Sequence, residues 1–225
     1  MIKRLENMFL MQQKLNDDTC GIGWEQGFAK NGKMISFRRC VYMECAELID
    51  SFDWKHWKLG KNNFLNVKIE LVDIWHFIMS LLLEETKRED KASFLAHEIN
   101  SNKNFISFCK YKHANPEENI YMIINDIESI IHKTSGFSYD IEEVVNVFFA
   151  LCVKCGLSFD ELYSKYIGKN VLNKFRQEHG YNDGTYKKVW NDLEDNEVMS
   201  NILKENQNID INELYAKLEE VYSKI

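Results

Sequence analysis

Two stretches decide how this chain folds, YMECAELIDS at 42–51 and IELVDIWHF at 69–77. Each carries an acidic doublet, Glu44 with Glu47 and Glu70 with Asp73, spaced three residues apart. On a helix that spacing sets both carboxylates on one face, about 5–6 Å apart at Cβ. Leu48 and Ile49 beside the first doublet, and Ile69, Leu71, Val72, Ile74 and Trp75 around the second, predict helices that are mostly buried. Carboxylates are rarely buried without a partner, and four brought together repel strongly. A divalent cation removes that conflict. With oxygen donors alone, a hard ion suits the set better than Zn²⁺, so Mg²⁺ is expected, with Mn²⁺ as a substitute. The residues between the doublets fit the end of one helix, a turn and an antiparallel return.

Outward from this pair, apolar residues keep recurring at helical intervals. Ile2, Leu5, Phe9 and Leu15 mark a first helix, and a loop bearing Gly21, Gly23, Gly27 and Gly32 leads to a second over about 36–52. A third covers 64–85, and further helices are expected at 91–112, 117–133, 139–154, 158–178, 193–206 and 210–224. Ser158 with Glu161 and Asp210 with Glu213 have capping-box spacing. Glu194 and Glu197 read as a solvated helix start favoured by the macrodipole. His179-Gly180 is a helix stop. Pro116 is the only proline, which is too little punctuation for many short, turn-linked strands. The expected fold is all-α: a single domain over 1–225, a helical bundle with a four-helix metal-binding core. Additional helices form a second, more mobile lobe, placed at about 86–119, where the apolar signal is weakest.

A formal charge of −7 argues against a general nucleic-acid binder, since non-specific affinity comes from Lys and Arg neutralising phosphates. The most apolar run, Ile69 to Leu83, contains Glu70, Asp73 and His76, so no membrane span is expected. The first residues lack the pattern of a secretory signal, and the six cysteines are expected to stay as thiols in the cytoplasm. Cys152 and Cys155 form a CxxC with no second pair to complete a zinc site, and read as packing. Asp73 and His76 form a DxxH, but a di-iron bundle needs two ExxH pairs; His76 is expected to orient a carboxylate or pack beside Trp75.

Lys169, Asn173 and Arg176 follow at i, i+4 and i+7 on one predicted helix, continued by Tyr181, Tyr186, Lys187 and Lys188. Such a line of donors can clamp a polyphosphate, with Arg as a bidentate fork and Lys as a mobile point charge. A solvated basic helix end is the alternative. Gln13 and Asn16, also three apart, share a face of the first helix, where amides are commonly solvated.

Taken together, these residues resemble the all-α nucleoside triphosphate pyrophosphatases, and among them the dimeric dUTPases. The likeness runs from Met11-Gln12-Gln13-Lys14-Leu15-Asn16-Asp17 through MECAELIDSF at 43–52, WKHWK at 54–58 and IELVDIWHF. It continues in YIGKNVLN at 166–173, FRQ at 175–177, GY, DG and YKK up to 188, and EDNE at 194–197. The resemblance implies Mg²⁺ on Glu44, Glu47, Glu70 and Asp73, and uracil contacts from Gln13 and Asn16, whose amides match an imide edge. It also implies an aromatic wall from Trp54, Trp57 and Phe77, although these three, Phe77 above all, also suit core packing. Phosphate contacts would come from Lys169, Asn173, Arg176, Lys187 and Lys188. The implied reaction converts dUTP to dUMP and pyrophosphate by attack at the β-phosphorus, with dUDP as a further substrate, in a homodimer. We expect Glu47 as the general base. The rival expectations are a housecleaning pyrophosphatase for other or modified nucleotides, and a non-catalytic helical interaction module with structural ion sites.

Overall fold

A computed structural model describes residues 1–111, 114–137, 139–206 and 209–225. Among them lie ten α-helices and one two-stranded hairpin, so the all-α reading holds. Chain contacts divide the molecule into two compact units, Met1–Phe159 and Asp160–Ile225.

The first unit holds α1 (Ile2–Cys20), α2 (Phe37–Asp50), α3 (Phe64–Glu85), α4 (Lys91–Ser101), α5 (Lys103–Lys110), α6 (Ile120–Ser135) and α7 (Ile141–Lys154). Helix α3 is central. It packs against α2, α1, α4 and α7, and its buried residues run round most of its circumference. A helix that is apolar nearly all round belongs inside a bundle. Trp75 on α3 is fully buried, stacked on Phe148 at 5.3 Å, with Phe149 and Phe9 also against it. Phe105 and Phe108 from α5 extend this aromatic core to Phe149 and Phe159. The stretch 86–119 thus supplies buried side chains from both α4 and α5.

Helix starts follow local capping chemistry. Ser36 Oγ accepts from the Arg39 N–H, Asn63 Oδ1 from Asn66 N–H, and Asp140 Oδ1 from Glu143 N–H. The single helix expected at 91–112 is two helices, because Asn102 takes an extended backbone and its Oδ1 accepts from the N–H groups of Asn104 and Phe105, starting a new helix. At the far end of α6, Arg38 from α2 donates to the carbonyls of Thr134 and Gly136, joining α2 to carbonyls at a helix C-terminus. All six cysteines are free, with Cys152 and Cys155 buried, as the packing reading expects.

The second unit is built from α8 (Phe159–Glu178), the hairpin β1 (Val189–Trp190) and β2 (Leu193–Glu194), α9 (Asp195–Glu205) and α10 (Ile211–Tyr222). The hairpin was not anticipated. Asn191 and Asp192 sit at φ 49° and 68°, the left-handed pair that a tight two-residue turn requires. Phe175, Trp190, Leu172, Met199, Leu214 and Leu218 form the core of this unit. Gly180, at φ +87°, ends α8 as expected; a Cβ there would collide with Thr185 Oγ1. No helix among the described residues is long and apolar enough to cross a membrane.

Candidate active site

Packing of α2 on α3 brings the first acidic doublet together with Glu70 of the second. One carboxylate oxygen each from Glu44, Glu47 and Glu70 lies within 4.8 Å of the others. Glu70 is buried, Glu44 half-buried and Glu47 exposed, so the cluster spans from the interior to solvent. Asp73, one turn further along α3, is half-buried and stands outside that trio. Like charges at ~4 Å repel by about 1 kcal/mol in water and about 4 kcal/mol at the effective dielectric of a protein surface. Three negative groups at this spacing, all offering oxygen, fit a hard divalent cation.

The predicted base contacts separate. Asn16 is buried: its Nδ2 donates to Ser80 Oγ at 3.1 Å, and its Oδ1 accepts from Gln12 Nε2 at 3.0 Å. Gln12 also reaches His76, whose Nδ1 lies 2.7 Å from Gln12 Oε1, and Ser80 Oγ donates to the His76 carbonyl. Gln12, His76 and Ser80 were missed as a group. Their signal was present as i, i+4 pairs, Gln12/Asn16 and His76/Ser80, of polar residues on two otherwise apolar faces. Gln13 points elsewhere. Its Nε2 donates to Asp17 and Glu25, beside buried Trp24, while its Oε1 is buried and has no hydrogen-bond partner among the described residues.

Trp54 and Trp57 lie outside the core, in the loop joining α2 to α3, at 40% and 64% exposure and 5.5 Å apart edge to face. Core packing, their alternative reading, does not apply. The Trp54 Nε1–H donates to Asp50, one turn beyond Glu47. Phe77 is half-buried, with its ring 6.3 Å from Phe37, which in turn meets Trp24.

In the second unit, the line of donors engages partners of its own. Arg176 grips Asp195 with two bonds, Nε to Oδ2 at 2.8 Å and Nη2 to Oδ1 at 2.7 Å. Its Nη1 reaches Asn173 Oδ1 at 3.4 Å, and buried Lys169 donates to Asn196 Oδ1 at 2.9 Å. Asp195 also accepts from the Tyr186 hydroxyl at 2.7 Å and from Asn196 N–H. Burial alone would raise the Asp195 carboxyl, but the Arg176 and Tyr186 donors outweigh it and hold the group below the ordinary carboxylate range. Tyr186 moves the opposite way, pushed up by burial and by the same carboxylate. Lys187 Nζ donates to the Ile225 carbonyl, and Lys188 pairs with Glu194 at 3.3 Å on the surface. The Glu194 N–H donates to Glu197, so this doublet caps α9. Asp195 was missed, although the EDNE block that contains it was noted.

Comparison with curated proteins found no match. A family model described as dUTPase matches residues 4–181, which takes in the first unit from Arg4 onward and α8, and leaves Lys187, Lys188 and Asp195 beyond the matched span. With the acidic doublets, the helical architecture and a match over most of its length, the chain belongs to the all-α dimeric dUTPase family.

Proposed function

We propose that the chain hydrolyses dUTP to dUMP and pyrophosphate, and dUDP to dUMP and phosphate, in a Mg²⁺-dependent reaction carried out by a cytoplasmic homodimer. The convergence of Glu44, Glu47 and Glu70 carries this reading. These three with Asp73 would hold the cation, which when bound supplies Lewis-acid polarisation of phosphate oxygens. Glu47, the most exposed of the trio, is the general base and takes the proton of the attacking water. The water oxygen bonds to the β-phosphorus, the bridging bond between that phosphorus and the α-phosphate oxygen breaks, and dUMP leaves. Gln13 Oε1, an acceptor with no hydrogen-bond partner among the described residues, suits the N3–H of uracil. Trp54 and Trp57 offer exposed ring faces to the base. Phe77 serves as a further contact to the nucleoside, and Asn16 would join it only by exchanging its Gln12 and Ser80 partners for the base. Lys169, Asn173, Arg176, Lys187 and Lys188 are assigned to phosphate, and the ligand would compete with Asp195 and Asn196 for two of them.

Phosphate and pyrophosphate release from dUTP, dUDP, dCTP, dTTP and UTP, each with Mg²⁺ and with Mn²⁺, tests the reading. Turnover confined to the deoxyuridine nucleotides, and lost in EDTA, is expected. Similar rates for every base would replace it with a housecleaning pyrophosphatase. Metal binding with no turnover of any nucleotide would leave a structural ion site in an interaction module.

A further inference from the structure

We propose that Asn66 is a positioning residue for the carboxylate cluster: its side-chain amide fixes the Glu70 carboxylate and links it to the end of the helix that carries Glu47. Asn66 Nδ2 donates at once to Glu70 Oε1 at 3.0 Å and to Ser51 Oγ at 2.9 Å. Ser51, itself 4% exposed, donates in turn to the Glu47 carbonyl at 3.4 Å. A chain of hydrogen bonds thus runs from one acidic doublet to the other, entirely through neutral groups. The Ser51 carbonyl also accepts from Asn63 N–H, the residue that caps α3 one turn before Asn66, so the same serine anchors both helix ends.

The orientation of the amide is dictated by its surroundings. Rotating it would turn Oδ1, an acceptor, against a carboxylate oxygen, and both hydrogen bonds from Nδ2 would be lost. With its amide so held, Asn66 restricts the torsion of the buried Glu70 carboxyl while adding no charge to a trio already crowded with negative groups. Partners of this kind orient ligands before the cation arrives, and removing one typically weakens metal affinity about 10–100-fold.

This inference rests on the cation-binding reading of the previous subsection, and its test separates the two. Mn²⁺ binding to the nucleotide-free protein is measured by electron paramagnetic resonance for wild type and Asn66→Leu, together with thermal melting in EDTA. We expect Mn²⁺ affinity to fall at least tenfold in Asn66→Leu. The metal-free melting curve should move by only a few degrees, since a merely structural role would shift melting and leave the affinity of the folded protein alone. Wild-type affinity in folded Asn66→Leu would overturn the inference. Should that variant fail to fold, Ser51→Ala decides: weakened binding supports the link, and unchanged binding overturns it. Absence of Mn²⁺ binding in the wild type would instead overturn the cation-binding reading and take the inference with it.

Discussion

Arg176 and Asp195 form a two-pronged ion pair in which the carboxylate is wholly enclosed and the guanidinium side chain is 12% exposed. Taking one partner away strands the other in a poorly solvated place, at a cost of about 3–5 kcal/mol. Asp195→Asn should therefore lower the urea midpoint markedly at pH 7. The sign of the pH dependence follows from the direction of the shift. The folded-state carboxyl lies below its unfolded value, so its stabilisation is full above about pH 4 and is lost as pH falls through the folded value. Acidification from pH 5 to pH 3 should destabilise wild type more than Asp195→Asn; equal losses would show that the pair contributes nothing to acid sensitivity.

Glu47→Gln should cut kcat by about 10²–10⁴-fold, the range for removal of a general base. Glu47 is exposed, so circular dichroism and melting should match wild type. Near-normal turnover in a folded variant would pass the role of base to Glu44, Glu70 or Asp73.

Saturating Mg²⁺ should raise the melting temperature, because a ligand at 100 times its dissociation constant adds about 2.7 kcal/mol to a native state that alone binds it. For a chain of this size that corresponds to roughly 5–10 °C. The rise should vanish in EDTA and be much reduced in Glu70→Gln, whose neutral amide leaves the trio one negative charge short. A rise of the same size in that variant would place the stabilising ion elsewhere.

Ser80→Ala removes an acceptor shared by Gln12 and Asn16 deep between α1 and α3. Leaving buried amide donors short of a partner costs about 1–3 kcal/mol. Chemical denaturation should report that loss. A stability change under ~0.5 kcal/mol would mean that the remaining Gln12–Asn16 bond is enough.

Trp57→Ala should leave stability within about 0.5 kcal/mol, as expected for an exposed side chain, yet raise KM for dUTP. Base–aromatic stacking is worth about 1–3 kcal/mol, so an increase near tenfold is expected. Unchanged KM would remove this ring from the base wall.

Helical periodicity placed α3 at its observed bounds, 64–85, and located α2 within two residues at each end. It marked Glu44, Glu47, Glu70 and Asp73 as the residues to watch, because carboxylates three apart in an apolar helix are legible from local spacing alone, while packing decided that the first three converge and Asp73 stands outside the trio. Capping chemistry inside a run was harder to read. Asn102 divides what looked like one helix, since a side-chain oxygen that starts a new helix is indistinguishable in sequence from a solvated asparagine within one. The hairpin at 189–194 is too short for alternation to reveal.

The sequence by itself determined which residues share a face of each helix, and with that the all-α fold and the acidic doublets. The tertiary structure alone decided which faces meet: that Arg176 closes on Asp195, that Asn16 turns inward to Ser80, that Asn66 joins Ser51 to Glu70, and that Trp54 and Trp57 stay in solvent. The physical reason is range. A 3.6-residue repeat fixes neighbours within one helix, while hydrogen bonds between helices depend on how the bundle packs, and no local pattern encodes that.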